Sequence, residues 1–227
     1  MSKRILACDS SGKTATAAVI EDGSLLACFV INTGLTHSQK LMTLISDMLN
    51  NVDLKIGDID GFAVANGPGS FTGIRIGASS IKAIAHAVEK PLFGISTLDG
   101  LWKNMAGFNG FVCPIIDARR EEVYAAVYEN NKKVISDYNP KLKELLNDIG
   151  SNKNVLFLGD GVLAYREIIT RALGERAVFA PPHLLLQNAA SIGMLAYEKY
   201  KNGERPSYTD FSLSYLKASQ PEQELTR

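Results

Sequence analysis

Two aspartates stand where an apolar run hands over to a tight polar turn: Asp9 in Ala7-Cys8-Asp9-Ser10-Ser11-Gly12, and Asp117 in Ile115-Ile116-Asp117-Ala118-Arg119. A carboxylate at the end of a strand has two common uses. It accepts hydrogen bonds from the turn's own amides, or it works on a metal ion or a phosphate. Loops that cradle phosphate through backbone N–H groups carry glycine so that the anion can approach, whereas Ser10, Ser11, Ala118 and Arg119 put side chains there. Tight nucleotide binding by this chain alone is therefore not expected, and both uses of the aspartates stay open. A third corner, Gly159-Asp160-Gly161, follows the apolar run Val155 to Leu158.

Other chemistries lack their residues. His37, His86 and His183 share no metal-ligand spacing, and neither His-Glu-x-x-His nor Cys-x-x-Cys occurs, so no metal site and no catalytic residue is expected. Gly12-Lys13-Thr14 suggests a Walker loop, but Ala7 stands where that motif needs its first glycine, and a hairpin follows in place of a helix. Ser70 follows Pro-Gly, so the Gly-x-Ser-x-Gly nucleophile elbow is absent.

The elements that position these residues are organised around Asn66 to Gly77, NGPGSFTGIRIG. Gly67 and Gly69 permit positive φ and Pro68 presets its own, which predicts a strand turning sharply into a helix capped by Ser70 or Thr72. Such a corner could bind an anion at the helix N-terminus. A structural corner is the favoured reading, because no lysine accompanies the loop and Arg75 lies a turn inside the helix. The helix is predicted over about Thr72 to Val88. Phe71, Ile74, Ala78, Ile81, Ala85 and Val88 form one apolar stripe, and Gly73, Gly77, Ser80, Ile84 and Ala87 a second, small or apolar one. A helix so poor in polar surface is covered on two sides, either inside its own monomer or by a partner's helix on the small stripe.

The remaining pattern repeats. Arg4 to Asp9, Thr14 to Glu21 and Ser24 to Ile31 read as strands with a hairpin at Asp22-Gly23, followed by a helix over Ser38 to Asn51 and a strand over Asp60 to Ala65. Pro91 to Ile95 is a fifth strand and Leu98 to Asn104 a helix. From Phe108 the same order returns: strands at Phe111 to Asp117, Glu122 to Glu129 and Lys132 to Tyr138, a helix near Pro140 to Ile149, a strand at Val155 to Leu158 and a helix over Val162 to Leu173. Ala177 to Pro182 is β-like, and Leu185 to Lys201 is helical. Tyr215-Leu216-Lys217 tacks down a polar tail, of which Gln220 to Arg227 is read as mobile. Strand-strand-strand-helix-strand-helix twice over predicts a duplicated α/β fold in two lobes, residues 1–106 and 107–227.

Composition agrees. The 227 residues are 46% hydrophobic and 21% charged with a net charge of zero, as in a soluble globular protein without a broad nucleic-acid-binding surface. The run after Met1 is too short for a signal peptide, and no stretch has the length of a membrane span. Three widely spaced cysteines, Cys8, Cys28 and Cys113, suit reduced thiols in a cytoplasmic protein.

The placement of Asp9, Asp117 and Gly159-Asp160-Gly161 resembles the two phosphate loops and the adenosine corner of the actin, heat-shock-protein and sugar-kinase (ASKHA, RNase H-like) superfamily. A closer resemblance covers nearly the whole chain. NGPGSFTGIRIG is similar to the signature of the bacterial TsaB family, formerly YeaZ. Leu6-Ala7-Cys8-Asp9-Ser10-Ser11, Thr36-His37-Ser38-Gln39, Ile95-Ser96-Thr97-Leu98, Asp117-Ala118-Arg119-Arg120 with Glu122-Val123-Tyr124, and Tyr215-Leu216-Lys217 with Ser219-Gln220 agree with it as well.

That resemblance implies a non-catalytic partner of TsaD, the paralogue that makes threonylcarbamoyladenosine beside the tRNA anticodon. Pairing, with TsaD or with a second copy, would run through Leu41, Ile45, Met48 and Leu49 on the first helix and Gly73, Ile76, Gly77, Ser80, Ile84 and Ala87 on the second. A bulky residue at Gly77 is expected to abolish pairing and leave the monomer folded. TsaE would join as an ATPase, tRNA would be reached through the complex, and ATP and metal would sit on the partners, leaving Asp9, Ser10, Ser11, Asp117, Gly159, Asp160 and Gly161 as a degenerate nucleotide cleft. The family's older glycoprotease label finds no support in the residues. The competing readings are a stand-alone ATP-binding kinase or ATPase of the same fold, using Asp9 and Asp117 around magnesium, and a self-sufficient RNA-binding module, which the neutral charge disfavours.

Overall fold

The first strand is apolar on both faces, and both faces are covered. The computed structural model describes residues 2–33, 37–150 and 152–216, so the readings of Lys217 and of Gln220 to Arg227 fall outside the described residues. In chain order the first half comprises β1 (Arg4–Asp9), β2 (Ala15–Glu21), β3 (Ser24–Ile31), α1 (His37–Asn51), β4 (Gly61–Ala65), α2 (Phe71–Ala87), β5 (Leu92–Ile95) and α3 (Thr97–Lys103). The second comprises β6 (Phe111–Asp117), β7 (Val123–Glu129), β8 (Lys132–Tyr138), α4 (Leu142–Asp148), β9 (Val155–Leu158), α5 (Gly161–Leu173), β10 (Ala177–Phe179) and α6 (Ala189–Lys201).

Each half builds one five-stranded sheet, ordered β3-β2-β1-β4-β5 and β8-β7-β6-β9-β10. The three hairpin strands run antiparallel and the last two join in parallel, as crossovers through a helix require. Asp22 and Gly23, at φ 48° and 80°, make the tight turn that their dipeptide predicts. The duplicated pattern read from the sequence is the one present.

Helices α1 and α2 cover one face of the first sheet. Leu41, Leu44, Ile45, Met48, Leu49, Ile81 and Ala85 pack there on Leu6, Cys8, Ala17 and Val19. The other face, Ile5, Ala7, Ala18 and Ile20, is covered by Ala189, Ile192 and Ala196 of α6. A division by chain order would leave α6 with the second sheet, yet its small residues let it lie on the first: a Cβ on Gly193 would come 2.7 Å from Ile20. α6 is also shorter than its apolar content suggests. Asn188 caps it, accepting from the Ala190 amide at 2.9 Å, so residues 185–188 stay outside the helix that Leu185 was expected to begin. Leu98 and Leu101 of α3 join the second core with Ile115, Phe157, Leu145 and Ile169.

Beyond α6 the chain runs back along β5 and α2. Leu92 N–H donates to Pro206, Ser214 N–H to Asn66, and the Tyr208 ring lies 4.8 Å from that of His86. On this strap Tyr215 lies 4.8 Å from the Phe71 ring and accepts a hydrogen bond from Arg75 Nε at 3.1 Å. The tack expected at Tyr215 is real, and it covers one flank of α2.

Candidate partner-binding face and candidate cleft

The inner surface of α2 is set by close approach to the β1 turn. Ser70 caps the helix, accepting from the Gly73 amide at 3.2 Å, and its own amide donates to Ser11 at 2.7 Å. Gly69, at φ 153°, brings its Cα so near that a Cβ would lie 2.4 Å from the Ser11 carbonyl. A Cβ on Gly77 would stand 2.4 Å from Ser10 Oγ and 3.5 Å from Val64. Gly73 is tighter still, and its carbonyl accepts from Ser10 Oγ at 2.8 Å.

These contacts correct part of the expected partner surface. Gly73 and Gly77 face the protein's own β1 turn, so no partner helix can reach them. Leu41 and Met48 are also inside, both fully buried under the helix pair. Within the small stripe, Gly73 and Gly77 are the close-packing positions, and sequence periodicity could not say what packs on them. The outward surface of α2 that adjoins α1 is instead Ile76, Ser80, Ala83, Ile84 and Ala87, of which Ala83 and Ala87 are exposed, beside a polar line of exposed Thr72, Arg75, Ser79 and His86.

Between the two helices lies a groove of about 490 Å³. Ile45 and Leu49 form its floor beside Ile84, Ala87 and Val88, and Met42, Ser46 and Asn50 form one wall. Leu54, Lys55 and Ile56 close its end, and Met42 is 45% exposed. So Ile45, Leu49, Ile84 and Ala87 are brought together as expected, while Leu54, Ile56 and Val88 were missed as lining. Part of their signal was present: past α1 the apolar residues Val52, Leu54 and Ile56 fall at alternate positions. The lining carries Lys55 as its one charged side chain.

The aspartate corners come together at the junction of the sheets, and the first of them is sealed. Asp9, Ser10 and Ser11 are 1 to 2% exposed. Asp9 Oδ1 accepts from both the amide and the hydroxyl of Ser11, at 2.8 and 2.6 Å, the turn-bonding use of a strand-end carboxylate. Burial pushes the Asp9 carboxyl up to about 6, against the lowering effect of the Ser11 bonds. The second corner is more open. Asp117 accepts from the Arg119 amide at 2.9 Å and from Tyr165 OH at 2.9 Å, and its own amide donates to Asp160 at 3.1 Å. Burial holds Asp160 above the usual carboxylate range, with Asp117 adding repulsion and Lys13 opposing it. Burial and the bond to Asp117 push Tyr165 up to about 12.

Among the described residues, no three His, Cys, Asp or Glu side chains gather where they could hold a metal ion, and no helix is long and apolar enough to cross a membrane.

A family model for TsaD, described as tRNA N6-adenosine threonylcarbamoyltransferase, matches residues 32–221. The chain is 32% identical over 177 residues to the tRNA threonylcarbamoyladenosine biosynthesis protein TsaB of Bacillus subtilis, covering 76% of this chain and 77% of that one. Among solved structures, an uncharacterized Pseudomonas aeruginosa protein with similarity to peptidase YEAZ superposes with a TM-score of 0.79 at 22% identity, covering 95% of this chain and 100% of that one. A ROK hexokinase from Thermus thermophilus matches with a TM-score of 0.50 at 12% identity, covering 88% and 100%. At these identities the structures speak for the fold alone, and the fold is the two-lobe ASKHA, RNase H-like one.

Proposed function

Because the chain belongs to the TsaD family and, within it, to the TsaB proteins, we propose that it is the scaffold subunit of a complex that makes N6-threonylcarbamoyladenosine in tRNA. It supports a TsaD paralogue that performs the transfer, and contributes no bond-making itself. The observation that carries this reading is the apolar groove between α1 and α2, rimmed by exposed Met42 and Ala87 on a face almost without charge. A helix surface of that kind is a protein-docking surface.

The partner is the corresponding helix pair of TsaD, set against Met42, Ile76, Ser80, Ile84 and Ala87 and over the groove floor of Ile45 and Leu49. Alone, two copies pair through the same face. TsaE joins the assembled complex, tRNA is reached through that complex in the cytoplasm, and nucleotide and metal reside on the partners. The first lobe, residues 1–106, supplies the docking face, and 107–227 the second lobe. The stand-alone kinase reading is not favoured, since Asp9 is spent on the Ser11 turn.

Co-purification with a co-expressed TsaD from the same organism tests the proposal. The native chain is expected to elute with TsaD, and Ala87→Arg or Met42→Glu to elute apart from it with an unchanged circular dichroism spectrum. Continued co-elution of both variants would refute this face as the docking surface.

A further inference from the structure

The ASKHA fold implies a nucleotide between its lobes, with phosphate at the β1 turn and adenosine at the corner after β9. The residues present do not fit that group. Gly12 alone of the first turn lacks a side chain, and the Gln187 side chain lies against it. A Cβ on Gly12 would come within 2.4 to 2.5 Å of Nε2, Cδ and Oε1 of that amide. Gln187 is 3% exposed, and neither its Nε2 nor its Oε1 has a hydrogen-bond partner among the described atoms. A buried amide left unpaired is unfavourable, so other contacts must hold it there.

Those contacts come from both lobes. The Gln187 carbonyl accepts from Thr14 Oγ1 at 3.2 Å, and the Ala189 amide donates to Thr16 Oγ1 at 2.8 Å, both in the first lobe. The Leu185 carbonyl accepts from the Gly159 amide at 2.7 Å, at the second lobe's corner. Asn104 Nδ2 donates to the carbonyls of Leu184 and Leu186, each at 3.0 Å, while its Oδ1 accepts from Ser191 at 2.6 Å. The segment between β10 and α6 thus bonds to Gly159 at one of the corners that a nucleotide would bridge and to Thr14 and Thr16 just beyond the other.

We propose that residues 185–189 are a built-in plug: Gln187 stands where a phosphate would approach the Gly12 backbone, Leu185 holds the Gly159 corner, and anions are excluded by the chain's own segment. The missing glycines at Ser10 and Ser11 are then a secondary barrier. The plug also ties the lobes to each other, so the cleft opens only if this segment lifts. The inference concerns the isolated chain and does not depend on the docking face.

Calorimetry of the isolated full chain with Mg-ADP and with inorganic pyrophosphate tests it. Gln187→Gly is expected to bind at least one of these probes at least tenfold more tightly than the native chain. Equal affinity of the two proteins for both probes, or equal absence of binding, overturns the plug. Should Gln187→Gly fail to fold, Gln187→Cys reads the same point. Its thiol is expected to react with a maleimide at least 100-fold more slowly than one introduced by Leu163→Cys, at a position 57% exposed on α5 and away from the docking face, the labelled site being read by mass spectrometry. Comparable rates would show that the segment is not seated, and overturn the proposal.

Discussion

The two sheets follow one plan, but their outer layers have different chemistry. In the first half, β3, α1 and α2 together carry Lys40, Asp47, Arg75 and Lys82 as their only Lys, Arg, Asp or Glu residues over forty positions. In the second, the shorter β8, α4 and α5 carry nine: Lys132, Lys133, Asp137, Lys143, Glu144, Asp148, Arg166, Glu167 and Arg171. A free surface rich in charge stays solvated, and one poor in charge is prepared for cover. The turns after β1 and β6 differ in the same way. The first is buried, closed by Gln187 and pinned beneath α2, whereas the second holds Asp117 half-buried beside exposed Arg119 and Arg120. Duplication has therefore left one lobe with a charge-poor outer layer and one with a charged, solvated one.

The sharpest way to break this contrast is to place a charge on equivalent helices. Ala87→Arg on α2 should weaken pairing by at least 100-fold, about 2.7 kcal/mol or more, while Leu163→Arg on α5, at a position 57% exposed, should leave it unchanged. Sedimentation of each variant with TsaD measures both. If Leu163→Arg were equally damaging, the asymmetry would have no functional meaning.

The next effect is at the buried turn. The Asp9 carboxyl, pushed up to about 6 from 3.8, binds its proton more readily folded than unfolded. Between those values the native state holds more protons, so this group's contribution falls as pH rises from about 4 to about 6 and stays lost above. Asp9→Asn keeps an oxygen for both Ser11 bonds and should raise stability at pH 7 by about 3 kcal/mol, with no gain at pH 3. Urea unfolding at the two pH values measures it, and an equal gain at both would contradict burial as the cause.

Gly77→Val comes third. Its side chain would collide with Ser10 Oγ and Val64, so the monomer itself should lose about 1–3 kcal/mol. Gly57→Ala, with nothing within 4 Å of its Cβ, should change stability by no more than about 0.5 kcal/mol. Denaturant midpoints would separate this from the sequence-based expectation of a folded, unpaired monomer. The smallest effect is at the open turn: Tyr165→Phe removes one bond to Asp117 and should lower stability by about 1 kcal/mol. A loss as large as that of a core truncation would mean that the second turn is as tightly built as the first.

Much of this architecture was legible from local pattern. Positive φ at Gly67 and Gly69, the Ser70 cap, the Asp22-Gly23 hairpin and the order of elements along both halves followed from turn chemistry and periodicity. The docking face was legible only in part. Spacing grouped Gly73 and Gly77 with Ser80, Ile84 and Ala87, yet the first two face Ser10 and the last lies outside. A stripe on a helix says which residues share a side, and neighbours brought by the fold decide whether that side is wet, sealed or waiting.

The sequence by itself determined the elements, their order, the duplication and the family signature, because these depend on residues a few positions apart. Tertiary structure alone decided that α6 returns to the first sheet and that Gln187 rests on Gly12, at a separation of 175 positions. No local propensity encodes such contacts. They arise from small residues permitting close approach and from hydrogen bonds between segments that meet only once both sheets have formed.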